Sequence, residues 1–225
     1  MSTLTEEFQS FIRSDRFPCV GAKAARARKT ITVVESDDVE RSSDDRRVHE
    51  TLCRFGDELD TDAPFLQSCA VIYAGPTTLG ETAFEEALWR RLQSFHEIDL
   101  REGNDWAKGV SSDPSSAAFS MSIGGKAFFV VGLHPHASRP ARRFAYPTLV
   151  FNSHDQFEQL RADGRYEKMK KIIRARDTEL AGGINPMLND FGRSSEARQY
   201  SGRKVGTDWR CPFHPQALES SQVRS

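Results

Sequence analysis

Apolar residues follow two periods along the chain, and the switches between them mark out its elements. Phe8, Phe11 and Ile12 in "TEEFQSFIRS" recur at helical spacing behind acidic residues, so a short helix opens the chain. "FPCVGAKAA" interrupts that pattern, with turns expected at Pro18 and Gly21. "TITVV" and "SCAVIYAG" read as strands, the second closed by Gly75 and Pro76. Between them the acidic run Glu35 to Asp45 reads as loop, and Val48 to Leu59 as helix. Phe84, Leu88, Leu92 and Phe95 fall on one stripe and predict the strongest helix of the chain.

The second half changes period. "AAFSMSI" and "KAFFVVGL" flank Gly124-Gly125, the pattern of a β-hairpin with a primed turn. "PTLVFN" is a further short strand, and "SHDQFEQLR" opens a helix with Ser153 as its N-cap. "GRYEKMKKIIRARDTEL" is basic and amphipathic, hence helical. From Gly182 onward little periodicity remains, yet aromatic residues persist, which predicts ordered loops lying over the body. Helices mixed with hairpin-connected strands give an α+β class: one domain, a mostly antiparallel sheet with a central β-hairpin packed by amphipathic helices, and a long ordered C-terminal loop region. No Pro/Gly/Ser linker divides the 225 residues.

Composition narrows the function classes. A formal net charge of -1 argues against a broad surface for nucleic acid or membrane. No stretch reaches membrane-spanning length. The four cysteines, Cys19, Cys53, Cys69 and Cys211, show no CxxC spacing, and no apolar signal region opens the chain. A reducing, cytoplasmic setting with free thiols is expected. GxSxG, Walker, GxGxxG and HExxH motifs are absent. Cys211 and His214 have Cys-x-x-His spacing, but no second pair is visible to complete a zinc site.

The remaining chemistry sits at element ends. In "FFVVGLHPHASRPARRF" a strand runs into His134 and His136, then Arg139, Arg142 and Arg143. His154 lies in the first turn of a helix, and His96 near the end of another. Taken singly, each is better explained as surface or satisfied core. Together, an imidazole beside guanidinium groups suits a cofactor that carries both a metal and carboxylates, and haem is one such group.

Several long stretches resemble the YqcI/YcgG family: "FPCVGAKAA", "VSSDP", "FFVVGLHP", "SRPARRF", "YPTLVFNSHDQFEQLR" and "GGINPMLNDFGRSSEARQYSGRKVGTDWRCPF". The resemblance runs from residue 8 to residue 213 and implies one domain there, with 214–225 as a flexible tail. It also implies a haem-dependent monooxygenase that N-hydroxylates a guanidino group of free arginine or an arginine-like small molecule. The expected partners are that substrate, O2 or peroxide, and an external redox partner, with no nucleic acid and no membrane. On this reading haem b is held axially by His134, with His154 second and Cys211, or Cys19, third. Arg139, Arg142, Arg143 and Lys23 contact the cofactor. Asn185, Glu196, Arg198, Tyr200 and Asp113 contact substrate, with Asn189 and Asp190 similar in kind. The alternatives are a non-catalytic haem-binding or haem-sensing protein, and a haem-free module for small anions.

Overall fold

The structure, a computed structural model, describes residues 2–63, 65–183 and 192–216. It is a three-layer α+β domain around one five-stranded mixed sheet. In chain order the elements are α1 (Leu4–Arg13), α2 (Val20–Ala27), β1 (Ile31–Asp38), α3 (Asp45–Asp57), β2 (Ser68–Gly75), α4 (Glu81–Glu102), β3 (Met121–Ile123), β4 (Lys126–Leu133), β5 (Thr148–Ser153), α5 (His154–Ala162), α6 (Arg165–Ala181) and α7 (Ala197–Tyr200). A 3-10 turn covers Pro140–Arg142. Strands lie in the order β1-β2-β5-β4-β3. Only β1 and β2 run parallel, joined through α3; the other pairings are antiparallel. The sheet is therefore mostly antiparallel, as the hairpin signal required.

Local chemistry sets several boundaries. Thr3 and Glu6 form a reciprocal capping box on α1. Ser153 caps α5 by accepting from Gln156 N. Gly124 and Gly125 take φ +57° and +70°, the left-handed pair a two-residue primed turn needs. The hairpin is central in the chain, but in the sheet it forms one flank.

Two expectations from the pattern are corrected. The chain turns at Ser14–Phe17, ahead of Pro18, and Gly21 lies inside α2 rather than at a turn, because Cys19 caps that helix through Sγ and Ala22 N (3.4 Å). Glu35 to Asp38 belong to β1 and not to the acidic loop, since the parallel ladder with β2 runs on to Gly75.

Alternation along the strands separates two cores. Phe128, Val130, Leu149, Phe151, Cys69, Val71 and Tyr73 face α3 and α4 and join the main core. The intervening residues Ala70, Ile72 and Leu133 join Phe8, Ile12 and Phe144 in a second, smaller core under α1. The segment after α7 lies over the main core, where Trp209, Phe213 and Cys211 pack. All four cysteines are free thiols. Among the described residues no helix is long and apolar enough to cross a membrane.

Candidate functional site

β3 pairs only with Lys126, Ala127 and Phe128 of β4. The rest of that edge, Phe129 to Leu133, has no partner strand on that side among the described residues, and α7 takes its place. Tyr200 sets its ring edge-on to Phe129 at 5.6 Å, and its hydroxyl accepts from Met121 N at 3.1 Å. Arg142 crosses the same edge, donating to Gly132 O (2.9 Å), Tyr200 O (3.2 Å) and Gln199 O (3.2 Å). An edge closed by side chains instead of a strand allows residues of α7 to look past it.

What they look into is a cavity of about 310 Å³ on the second face of the sheet. Phe129, Val131, Val150 and Asn152 form its floor, and α1, α2, α5 and α6 supply its walls. The α6 wall is a helical stripe of Tyr166, Met169, Lys170, Ile173, Arg174 and Asp177. The lining is mainly apolar with a few convergent polar groups, the usual make-up of a small-molecule site.

Among the titratable groups that line this space, His154 and Glu196 carry the clearest chemistry. His154 opens α5, is 8 % exposed, and lies with Nε2 3.7 Å from Glu158 Oε1. Burial lowers its pKa, so the ring is neutral and fit to ligate a metal. Glu196 is 4 % exposed, and burial pushes its carboxyl up to about 7. Its Oε1 accepts from Tyr200 Oη (2.7 Å) and Ser120 Oγ (2.8 Å). Both bonds fall on Oε1 of this cavity-lining side chain.

Asp177 and Arg139 form an ion pair on the wall, and Arg139 also reaches Gly183 O at 3.4 Å. Asp177 Oδ1 is buried without a hydrogen-bond partner among the described residues. Cys19 lines the cavity too, but burial raises its thiol pKa and its Sγ already caps α2.

The other residues singled out by sequence fall elsewhere. His134 is 1 % exposed, lies outside the cavity and stacks on Phe84 of α4 at 4.3 Å. Burial lowers its pKa to about 4, so it is a neutral core imidazole, with Nδ1 lacking a hydrogen-bond partner. Arg143 is outside the cavity as well, donating to Ala137 O (2.6 Å) and Ser138 O (2.9 Å) to brace its own loop. Cys211 packs against the main core, its thiol pushed up to about 12 by burial. Arg198 donates to Gly206 O (2.6 Å) and covers the Trp209 ring. Asp113 builds an exposed turn by accepting from Ser115 N at 2.8 Å. Lys23 is half-buried on α2 and does not line the cavity, and Tyr200 supports Glu196 from behind. Asn185, Asn189 and Asp190 lie outside the described residues.

Of the candidates, His154, Arg139, Arg142, Glu196 and Cys19 are thus brought together. The sequence reading missed the α6 stripe. Its signal was present: residues 166, 169, 170, 173, 174 and 177 share one helical face and mix apolar with charged types, as the wall of a site does and a core stripe does not.

Comparison with known proteins agrees on the family. No curated protein and no solved structure matches the chain. The model of the YqcI/YcgG family matches residues 8–214, nearly the whole chain, from within α1 to past α7. The chain belongs to the YqcI/YcgG family.

Proposed function

We propose that this protein is a haem-dependent monooxygenase that hydroxylates a guanidino nitrogen of arginine or an arginine-like small molecule, with His154 in place of His134 as the axial ligand. The observation that carries the reading is the sharing of one apolar cavity by a neutral buried imidazole and a buried carboxylate.

The donor set suits haem. His154 would supply a nitrogen ligand, Phe129, Val131, Val150 and Phe157 would offer apolar surface, and cationic side chains on α5 and α6 would suit the propionates. Arg142 spends its donors on three carbonyls and acts as a brace. A cavity of about 310 Å³ lies at the small end of ligand pockets. A macrocycle would need more room than this, and the wall it would displace is α6, whose one buried residue, Asp177, is paired with Arg139. When bound, haem supplies the oxygen activation that no side chain can.

The chain's own part is binding and orientation. Glu196 offers a carboxylate to a cationic guanidinium, and the arriving charge favours its ionised form. Tyr200 and Ser120 hold that carboxylate in place. The apolar walls exclude water, which strengthens the pairing. The electrons come from outside the chain, or peroxide replaces O2 and electrons together.

The cavity volume favours one second reading, a haem-free module that binds a small amphipathic molecule in the same space. An absorption spectrum of protein expressed with haem precursor separates the two. The expected result is a stoichiometric Soret band that His154→Ala abolishes and His134→Ala retains, with an added oxygen atom on arginine or a relative under turnover. Absence of a Soret band after haem titration overturns the oxygenase reading and leaves the haem-free module.

A further inference from the structure

On the opposite face of the sheet from the cavity, α3, α4 and the hairpin turn meet around a cluster the proposed chemistry does not use. His49 and Cys53 lie one turn apart on α3, and Asp99 projects from α4. His49 is fully buried, with Nε2 2.7 Å from Asp99 Oδ1 and 3.7 Å from Cys53 Sγ. One nitrogen, one sulfur and one carboxylate oxygen lie within 4.8 Å of one another.

We propose that His49 Nε2, Cys53 Sγ and Asp99 Oδ1 bind a divalent transition metal, zinc by donor chemistry, with water in the fourth position.

The distances are close to those of a loaded site. Zinc bonds of about 2.0–2.3 Å at tetrahedral angles place nitrogen and sulfur roughly 3.6 Å apart, and nitrogen and oxygen roughly 3.3 Å apart. The nitrogen–sulfur pair is already there at 3.7 Å. The nitrogen–oxygen pair has to open by about half an ångström, as the proton between His49 and Asp99 gives way to the metal. Thiolate, imidazole and one carboxylate select zinc or cobalt over magnesium or calcium.

The surroundings are those of a built site. His49 Nδ1 lies 4.0 Å from Glu102 Oε2, and Arg46 holds the other Glu102 oxygen at 3.1 Å. At that distance Glu102 makes no hydrogen bond to the ring but sets a negative charge behind it, favourable to a cation at the site. Asp99 Oδ1 accepts from Asn104 Nδ2 (3.0 Å) and Gly124 N (3.0 Å), the latter also 3.1 Å from Oδ2, which fixes the carboxylate against the hairpin turn; the metal would take the side of Oδ1 that now faces His49 Nε2. Cys53 is only half-buried, which leaves a path for the ion. The metal would tie two helices and the turn through one centre.

The test is a cobalt titration of reduced, chelator-stripped full-length protein. The expected result is tetrahedral d–d bands and a thiolate-to-cobalt charge-transfer band, saturating at one ion per chain and displaced by zinc. Cys53→Ser removes the charge-transfer band. Glu102→Gln keeps that band and weakens binding by about threefold, the loss of one partly exposed charge. Both variants retain the haem titration of the parent, which separates this site from the cavity. No bands in the parent protein up to millimolar cobalt overturns the proposal, and that reading stands even if a variant fails to fold. A band that survives Cys53→Ser and disappears in Cys211→Ser places the metal at Cys211 and His214, and also overturns it.

Discussion

Phe128, Val130, Leu149 and Phe151 are fully buried against α3 and α4, while Phe129, Val131, Val150 and Asn152 from the same two strands line a cavity. One face is closed by α4, whose Phe84, Leu88, Leu92 and Phe95 are all at 0 % exposure, and by the aromatic run of Trp89, Tyr200, Phe119 and Phe213. The other is covered partly by α6, which fully buries only Asp177 and leaves Ile172 47 % exposed. A period of two residues sorts side chains to the two faces equally well, so the strands did not decide which face became a site. The helices did. A helix with a continuous apolar stripe closes its face; a helix whose inner stripe carries Lys170, Arg174 and Asp177 leaves space that a ligand can fill.

The comparison is tested most severely by truncating one aromatic on each side. Phe95→Ala removes a fully buried ring from the closed face and is expected to cost about 3–5 kcal/mol, or about 10 °C in melting temperature for a chain of this size. Phe157→Ala on the cavity wall is expected to cost about 1 kcal/mol, because the ring is half-buried beside existing space. Equal losses in thermal or urea unfolding would erase the contrast.

The next effect belongs to Glu196. Its folded pKa of about 7 lies above the ordinary 4.5 because burial disfavours the charge. A raised carboxyl contributes its stability below the unfolded value and loses it as pH climbs through 7. Glu196→Gln is therefore expected to stabilise the protein by about 3 kcal/mol at pH 8, by nothing below pH 4.5, and to flatten the slope between. Unfolding curves at pH 4.5, 6 and 8 check this, and an unchanged slope would return Glu196 to ordinary solvation. In the same variant the affinity for a guanidinium ligand should fall, most visibly at high pH where the parent carboxylate is ionised.

Two glycines complete the series. Gly124→Ala places a side chain on a residue at φ +57°, with its Cβ 2.6 Å from Cys53 Sγ, and is expected to cost about 2–3 kcal/mol. Gly21→Ala, inside α2, brings a Cβ within 2.7 Å of Leu66 Cδ1 and 3.0 Å of Met169 Sδ. Both are ends of flexible side chains that line the cavity, so they can yield into it. Helix propensity gains up to about 1 kcal/mol from the same change. A net effect within about 1 kcal/mol is expected, with tighter packing at the cavity wall read as weaker ligand binding.

The elements were written in local patterns. "SCAVIYAG" is β2 without remainder, the Gly124-Gly125 pair forms the hairpin turn, and Ser153 caps α5. Where the local reading failed, a distant partner had decided. Gly21 was taken for a turn because its reason, the approach of Leu66 and Met169, lies far along the chain. Glu35 to Asp38 look like solvent-exposed loop, but the edge strand β1 follows the ladder of β2. At the site, His134 had the stronger local argument, standing at a strand end before a proline. Its ring instead stacks on Phe84, a residue of another element on the other face of the sheet.

The sequence by itself determined the class, the hairpin, the caps and the family, because each is encoded in residues near one another or in ordered motifs. Only the tertiary structure decided which of the polar residues at element ends share a space. His154, Glu196 and Asp177 come from α5, the start of α7 and α6, and they meet because a short β3 leaves the edge of β4 to α7. His49, Cys53 and Asp99 meet because α3 and α4 cross beneath the same turn. Burial supplies the rest: an imidazole or carboxylate acquires its chemistry from the water it loses, and the count of lost water is a property of the packed chain.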